Sequence, residues 1–153
     1  MVEIGSPFPS FSLPNEKNEK VDLAQLRGKW IALFVYPKDD TPGCTIESKG
    51  FSAAKSDFEQ ANAVALGISA DDSASHQQFC DKHGLTVSLL ADPNGELLRA
   101  GGVGQTDWHG TMYWDRTTFL IDPQGILRKV YKDVKPTGHE QQVLNDIRAL
   151  SAQ

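Results

Sequence analysis

The chain has two thiols, and one of them, Cys44, has neighbours that could turn a thiol into a nucleophile. It lies in Pro37-Lys38-Asp39-Asp40-Thr41-Pro42-Gly43-Cys44-Thr45, between a strongly apolar run and a segment with helical spacing. Thr41 is a good N-cap and Pro42 suits the first helical position, which puts Cys44 in the first turn of a helix. There, free backbone N–H groups and the positive helix end favour a thiolate. A thiolate so placed can attack a peroxide. As the S–O bond forms and the O–O bond breaks, charge flows onto the distal oxygen, so donors must hold both oxygens in line with sulfur. The Thr41 hydroxyl, the N–H groups of Gly43 and Cys44, and a guanidinium from elsewhere are the candidates. Gly43 lets backbone come close to a substrate, and Pro37 would shield the thiolate from bulk water. The plainer alternative is an inert buried thiol at a well-capped helix start, because free cysteine often serves as a small apolar residue.

The elements around this stretch follow from the pattern of apolar runs. Trp30 to Tyr36 (WIALFVY) is continuous and rich in aromatic and β-branched types, which predicts a buried central strand. In open α/β sheets chemistry gathers at the C-terminal ends of strands, where the Cys44 loop begins. Ala63 to Ile68 and Thr86 to Leu90 are two further strand candidates, the second closed by the turn Asp92-Pro93-Asn94-Gly95. Thr117 to Ile121 and Ile126 to Tyr131 flank Asp122-Pro123-Gln124-Gly125 as a hairpin. Phe11-Ser12-Leu13 reads as a short edge strand, followed by turn residues from Asn15 to Lys20. One helix is expected after Thr41, carrying Phe51, Ala54 and Phe58. A second spans about Asp72 to His83 and stops at Gly84. A third spans about Gly138 to Leu150, with Val143, Leu144, Ile147 and Leu150 on one face. The sum is an α/β fold, a mixed central sheet flanked by helices, in one domain over residues 1–153.

Composition narrows the function. The 39% hydrophobic and 23% charged residues are the balance of an ordinary globular protein. A formal net charge of -5 weighs against nucleic acid and anionic membranes as partners. No apolar run is long enough to span a bilayer. Met1-Val2-Glu3-Ile4-Gly5 lacks the pattern of a secretory signal, so a cytoplasmic location is expected. In a reducing compartment a pair of cysteines points to redox chemistry or metal rather than a structural staple. Gly101-Gly102-Val103-Gly104 does not fit the G-x-x-x-x-G-K phosphate loop and reads as a flexible loop, so no nucleotide cofactor is implied.

Pro37-x-x-x-Thr41-x-x-Cys44 resembles the active-site motif of the peroxiredoxins. The wider string Tyr36-Pro37-Lys38-Asp39-Asp40-Thr41-Pro42-Gly43-Cys44-Thr45-x-Glu47 is similar to their Q-type branch, the bacterioferritin comigratory proteins. The likeness extends to Gly5-Ser6-Pro7-Phe8-Pro9-x-Phe11-x-Leu13, Leu26-Arg27-Gly28-Lys29 and Arg116-Thr117-Thr118-Phe119-Leu120-Ile121-Asp122. It implies a thioredoxin-like fold. It also implies reduction of hydrogen peroxide and organic hydroperoxides, with recycling by thioredoxin or a related dithiol reductant and no bound cofactor. By the resemblance, Cys44 matches the peroxidatic cysteine, Thr41 the hydroxyl that contacts it and the peroxide, and Pro37 the shielding proline. Arg116 matches the arginine that holds the site's charge, and Glu47 a glutamate able to bond Arg116 or the helix start, or simply a first-turn acid that suits the helix dipole. Many members carry a second cysteine five residues after the first, but Lys49 stands there. A subset of the branch places the resolving cysteine on the next helix, which assigns that role to Cys80. The plain alternative for Cys80 is a core cysteine beside Phe79. The branch is often monomeric, and a Cys44–Cys80 disulfide needs no partner chain.

Three rival readings attach to the same residues. His76, Cys80 and His83 share one helix face and, with Cys44, offer four metal ligands. That reading leaves Thr41 without a role and sets Arg116 beside a cation, so no metal is expected. A slow peroxide-sensing thiol module would use the same residues as an enzyme. A dithiol reductase would need Cys-x-x-Cys, whose second position is Glu47. Trp108, Met112, Tyr113 and Trp114 are candidates for one wall of an apolar peroxide pocket or, equally, for plain loop packing. Packed helices hold their axes about 8–10 Å apart. The Cys44 and Cys80 Cα atoms are therefore expected more than about 7 Å apart when the thiols are reduced, and the disulfide requires both segments to unwind.

Overall fold

The computed structural model describes residues 2–152. Its elements in chain order are β1 (Ser12–Pro14), β2 (Lys20–Asp22), a 3-10 turn (Leu23–Leu26), β3 (Trp30–Val35), α1 (Pro42–Ala53), α2 (Lys55–Gln60), β4 (Ala63–Ser69), α3 (Ser73–His83), β5 (Ser88–Ala91), α4 (Glu96–Ala100), β6 (Gln105–Trp108), β7 (Thr111–Trp114), β8 (Thr117–Ile121), β9 (Leu127–Tyr131) and α5 (His139–Ser151).

The central sheet has the order β5-β4-β3-β8-β9. β3 pairs parallel with β4 and antiparallel with β8, so the sheet is mixed. All six residues of β3 are buried, as a continuous apolar run demands of a strand covered on both sides. Its side chains alternate between two cores. Trp30, Ala32, Phe34 and Tyr36 enter the core shared with Phe51, Phe58, Phe79, Val143 and Ile147 of the helices. Ile31, Leu33 and Val35 enter a second core with Phe8, Phe11, Leu97, Leu98 and Trp114. Cys44 and Cys80 both belong to the first core.

One expectation is corrected, and two small hairpins lie outside the central sheet. The helix after Thr41 breaks at Ala54, which takes φ -88° and ψ 3° and divides it into α1 and α2. Phe51 and Phe58 still reach the same core. The segment read as a short strand over Phe11–Leu13 forms one over Ser12–Pro14, outside the central sheet. Its strand, β1, pairs with β2 in a separate hairpin, closed by the Asn15 side chain accepting from the N–H groups of Lys17 and Glu19. The Trp108 region is a second small hairpin, β6–β7, turned by His109 and Gly110 at φ 53° and 86°. Paired positive φ values are what a tight two-residue hairpin turn requires. Gly84 ends α3 in the left-handed conformation as expected. Among the described residues no helix is long and apolar enough to cross a membrane.

Candidate active site

Sheet register explains how residues distant in sequence meet. β3 ends at Val35, whose partner in β8 is Thr117. The residue after β3 and the residue before β8 therefore emerge at the same end of the sheet. The loop to Cys44 leaves from one, and Arg116 stands at the other.

Cys44 occupies the first turn of α1 and is fully buried. Cys44, Glu47, Ser48 and Phe51 form the buried face of α1, at the spacing expected of one helix side. Arg116 bridges two of them: its Nη2 donates to Cys44 Sγ at 3.4 Å and its Nη1 to Glu47 Oε1 at 2.7 Å. The guanidinium is thus fixed against the sulfur by its second contact, to Glu47. Glu47 has no solvent exposure, and its Oε2 has no partner. Burial pushes the Glu47 carboxyl up to about 7, the charge and hydrogen bond of Arg116 pull it down, and the Glu140 charge raises it further. Of the partners open to Glu47, its hydrogen bond runs to Arg116.

The predicted site residues fare unevenly. Thr41 stands at the N-cap position, but its side chain caps nothing. Its hydroxyl donates to the Lys38 carbonyl at 2.9 Å, while its own carbonyl accepts from the Thr45 N–H at 2.9 Å and the Thr45 hydroxyl at 2.8 Å. Gly43 makes room for the guanidinium: a Cβ there would lie 2.9 Å from Arg116 Nη2 and 3.3 Å from Pro136 Cγ. A cavity of about 400 Å³ opens beside the site, lined by Pro37, Thr41, Pro42 and Arg116 together with Thr106, Trp108, Tyr113 and Trp114 of the small hairpin. Trp108, Tyr113 and Trp114 thus take the wall position expected of them. Met112 does not line the cavity and is exposed.

Cys80 is a free thiol, as is Cys44. It lies on the buried face of α3 with His76 and Phe79. Burial, and then the charges of Glu16, Asp39 and Asp81, push the Cys80 thiol up to about 12, which favours its protonated form where it lies. α1 and α3 are both whole with both thiols free, the arrangement expected of the reduced state.

The histidines weighed as metal ligands have other partners. His76 Nδ1 meets Asp39 Oδ2 at 2.7 Å and its Nε2 meets the Leu90 carbonyl at 2.9 Å, while His83 Nε2 meets Asp40 Oδ1 at 2.7 Å. Sequence reasoning missed the acidic loop residues Asp39 and Asp40 as partners of α3. The signal was two acids in the loop and histidines at both ends of the Cys80 helix face.

A thioredoxin-like sheet, a cysteine at the helix start beyond its central strand, and a guanidinium on the sulfur together define a thiol peroxidase. The chain belongs to the AhpC/TSA family, whose sequence profile matches residues 4–130. It is 41% identical over 149 residues to the putative peroxiredoxin bcp of Helicobacter pylori strain J99, covering 95% of this chain and 98% of that one. It is 37% identical over 153 residues to peroxiredoxin Bcp of Bacillus subtilis, covering 98% of each. Among solved structures, a cysteine-to-serine mutant of Xylella fastidiosa PrxQ superposes with a TM-score of 0.92 at 31% identity, covering 99% of this chain and 98% of that one. The Xanthomonas campestris bacterioferritin comigratory protein, studied for alkyl peroxide reduction, gives 0.88 at 31% identity over 99% and 98% of the two chains.

Proposed function

We propose that Cys44 is the peroxidatic nucleophile of this peroxidase and Cys80 its resolving thiol. The observation that carries the first assignment is the Arg116 guanidinium, held by Glu47 and donating to Cys44 Sγ at 3.4 Å. The Cys44 thiolate attacks the proximal oxygen of a hydroperoxide, the O–O bond breaks, the attacked oxygen keeps its proton, and the departing alkoxide or hydroxide takes one from water. The product is the Cys44 sulfenic acid. Thr41, the N–H groups of Gly43 and Cys44, and Arg116 hold the two oxygens, and Pro37 limits water at the sulfur. Cys80 then attacks the sulfenic sulfur, releasing water and forming the disulfide. Thioredoxin or a related dithiol reductant restores both thiols by exchange. The apolar hairpin wall of the cavity suits organic hydroperoxides as well as hydrogen peroxide. The cycle runs within one chain, in a cytoplasmic monomer.

The test is thiol counting and peptide mass after one equivalent of peroxide. Wild type should lose both thiols and link Cys44 to Cys80. Cys44→Ser should consume no peroxide. Cys80→Ser should consume one equivalent, leave a sulfenic acid on Cys44 and over-oxidise readily. Normal cycling of Cys80→Ser with thioredoxin would overturn the resolving role, and wild-type turnover too slow to sustain coupled NADPH consumption would return the sensor reading.

A further inference from the structure

Two consecutive loop residues just ahead of Cys44 grip the helix that carries Cys80 at both of its ends. Asp39 is buried, and its carboxylate accepts three hydrogen bonds at 2.7 Å. Tyr36 donates to Oδ1, while the Ser75 hydroxyl and His76 Nδ1 meet Oδ2. Ser75 and His76 lie in the first turns of α3. Asp40 is exposed and reaches the last turn of the same helix, with Lys82 Nζ on Oδ2 and His83 Nε2 on Oδ1, each at 2.7 Å. Asp40 holds φ 59°, a left-handed conformation that aspartate tolerates better than most residues. The loop is itself anchored to the sheet, because the Asp39 N–H donates to Asp71 Oδ2 at 2.8 Å and Ser69 donates to the same oxygen. Cys80 falls between the two grips.

We infer that Asp39 and Asp40 form a two-point latch on α3 that sets the rate at which Cys80 is released to attack oxidised Cys44. This rests on the disulfide reading given above. Two reactions compete for the sulfenic acid. Cys80 converts it to a disulfide with loss of one water. A second hydroperoxide adds an oxygen to give the sulfinic acid and an alcohol or water. The first requires Cys80 to leave the face on which it lies buried, so the strength of the latch decides the partition. A tighter latch preserves the peroxide site and favours over-oxidation, while a looser one favours the disulfide. Asp39 and Asp40 are positioning residues in this sense: they act through the helix and need not touch the peroxide.

The variant to make is Asp40→Asn with Ser75→Ala, which removes one strand of each grip and leaves the buried Asp39–His76 contact in place. Alanine is a better helix former than serine, so lost propensity in α3 cannot mimic the effect. Amide hydrogen exchange of the reduced protein is read across residues 76–83, and disulfide formation is followed by rapid quench after one equivalent of peroxide. Exchange in α3 and the rate of disulfide formation should both rise by about tenfold. The peroxide dose that over-oxidises half of Cys44 during recycling should rise with them. Exchange unchanged from wild type overturns the latch, and so does faster exchange without faster disulfide formation. A wild type that consumes peroxide but never links Cys44 to Cys80 refutes the disulfide reading instead, and the exchange comparison still decides whether the grip exists.

Discussion

At the scale of single residues, the site is a set of close approaches around one guanidinium. Gly43 is required because Arg116 fills the space a side chain would take. Gly43→Ala should therefore push the guanidinium off the sulfur and lower the second-order rate with hydrogen peroxide by about tenfold to a hundredfold, measured by stopped flow. Its backbone tolerates alanine, so α1 should remain folded. Glu47 gives a pH signature. Its carboxyl sits at about 7 against an ordinary 4.5, so the folded state holds the proton more tightly than the unfolded chain. The stability contributed by the neutral acid is complete below the ordinary value and is lost as pH rises through the folded one. A shift of that size is worth about 3 kcal/mol. In urea unfolding, the free-energy gap between wild type and Glu47→Gln should move toward the glutamine variant by about that amount from about pH 5 to about pH 8. The helix start that carries Cys44 was legible from local sequence through Pro42 at its first position, although Thr41, expected to cap it, turns its hydroxyl to the Lys38 carbonyl. Arg116 was legible only through the family motif, since nothing near it in sequence says that β8 runs antiparallel beside β3.

At the scale of elements, legibility followed burial. β3, β4 and β8 are almost wholly buried and stood out as continuous apolar runs. β6 is exposed along its whole length and β7 along half of its own, so neither shows the alternation that marks a half-buried strand. The β6–β7 hairpin nonetheless supplies one wall of the cavity beside Cys44. Trp108 is 65% exposed while lining that cavity, which suits a residue that gains burial only when an apolar substrate arrives. Trp108→Ala should reduce kcat/KM for cumene hydroperoxide by roughly fivefold to tenfold. Turnover of hydrogen peroxide, which has no apolar tail to cover, should change less than about twofold. Parallel steady-state assays with the two peroxides check this. The grip of Asp39 and Asp40 on α3 was not legible, because hydrogen bonds spanning 36 to 43 positions leave no periodicity in the chain.

At the scale of the whole molecule, every group assigned to the cycle lies on one chain, with Cys44 and Arg116 at one end of the central sheet and Cys80 on the buried face of α3. Sedimentation velocity should accordingly give a monomer before and after one equivalent of peroxide. A peroxide-dependent dimer would show that the disulfide forms between chains. The two faces of the sheet carry separate cores, and both cysteines belong to the one formed with α1, α3 and α5. The opposite core, built on Phe8, Leu97, Leu98 and Phe119, contains no cysteine. The side that carries both sulfurs is thus backed by one that holds neither, and that touches the site only through Trp114. On the proposed cycle only the first core has to open, and the second remains as the surface against which α1 and α3 fold back.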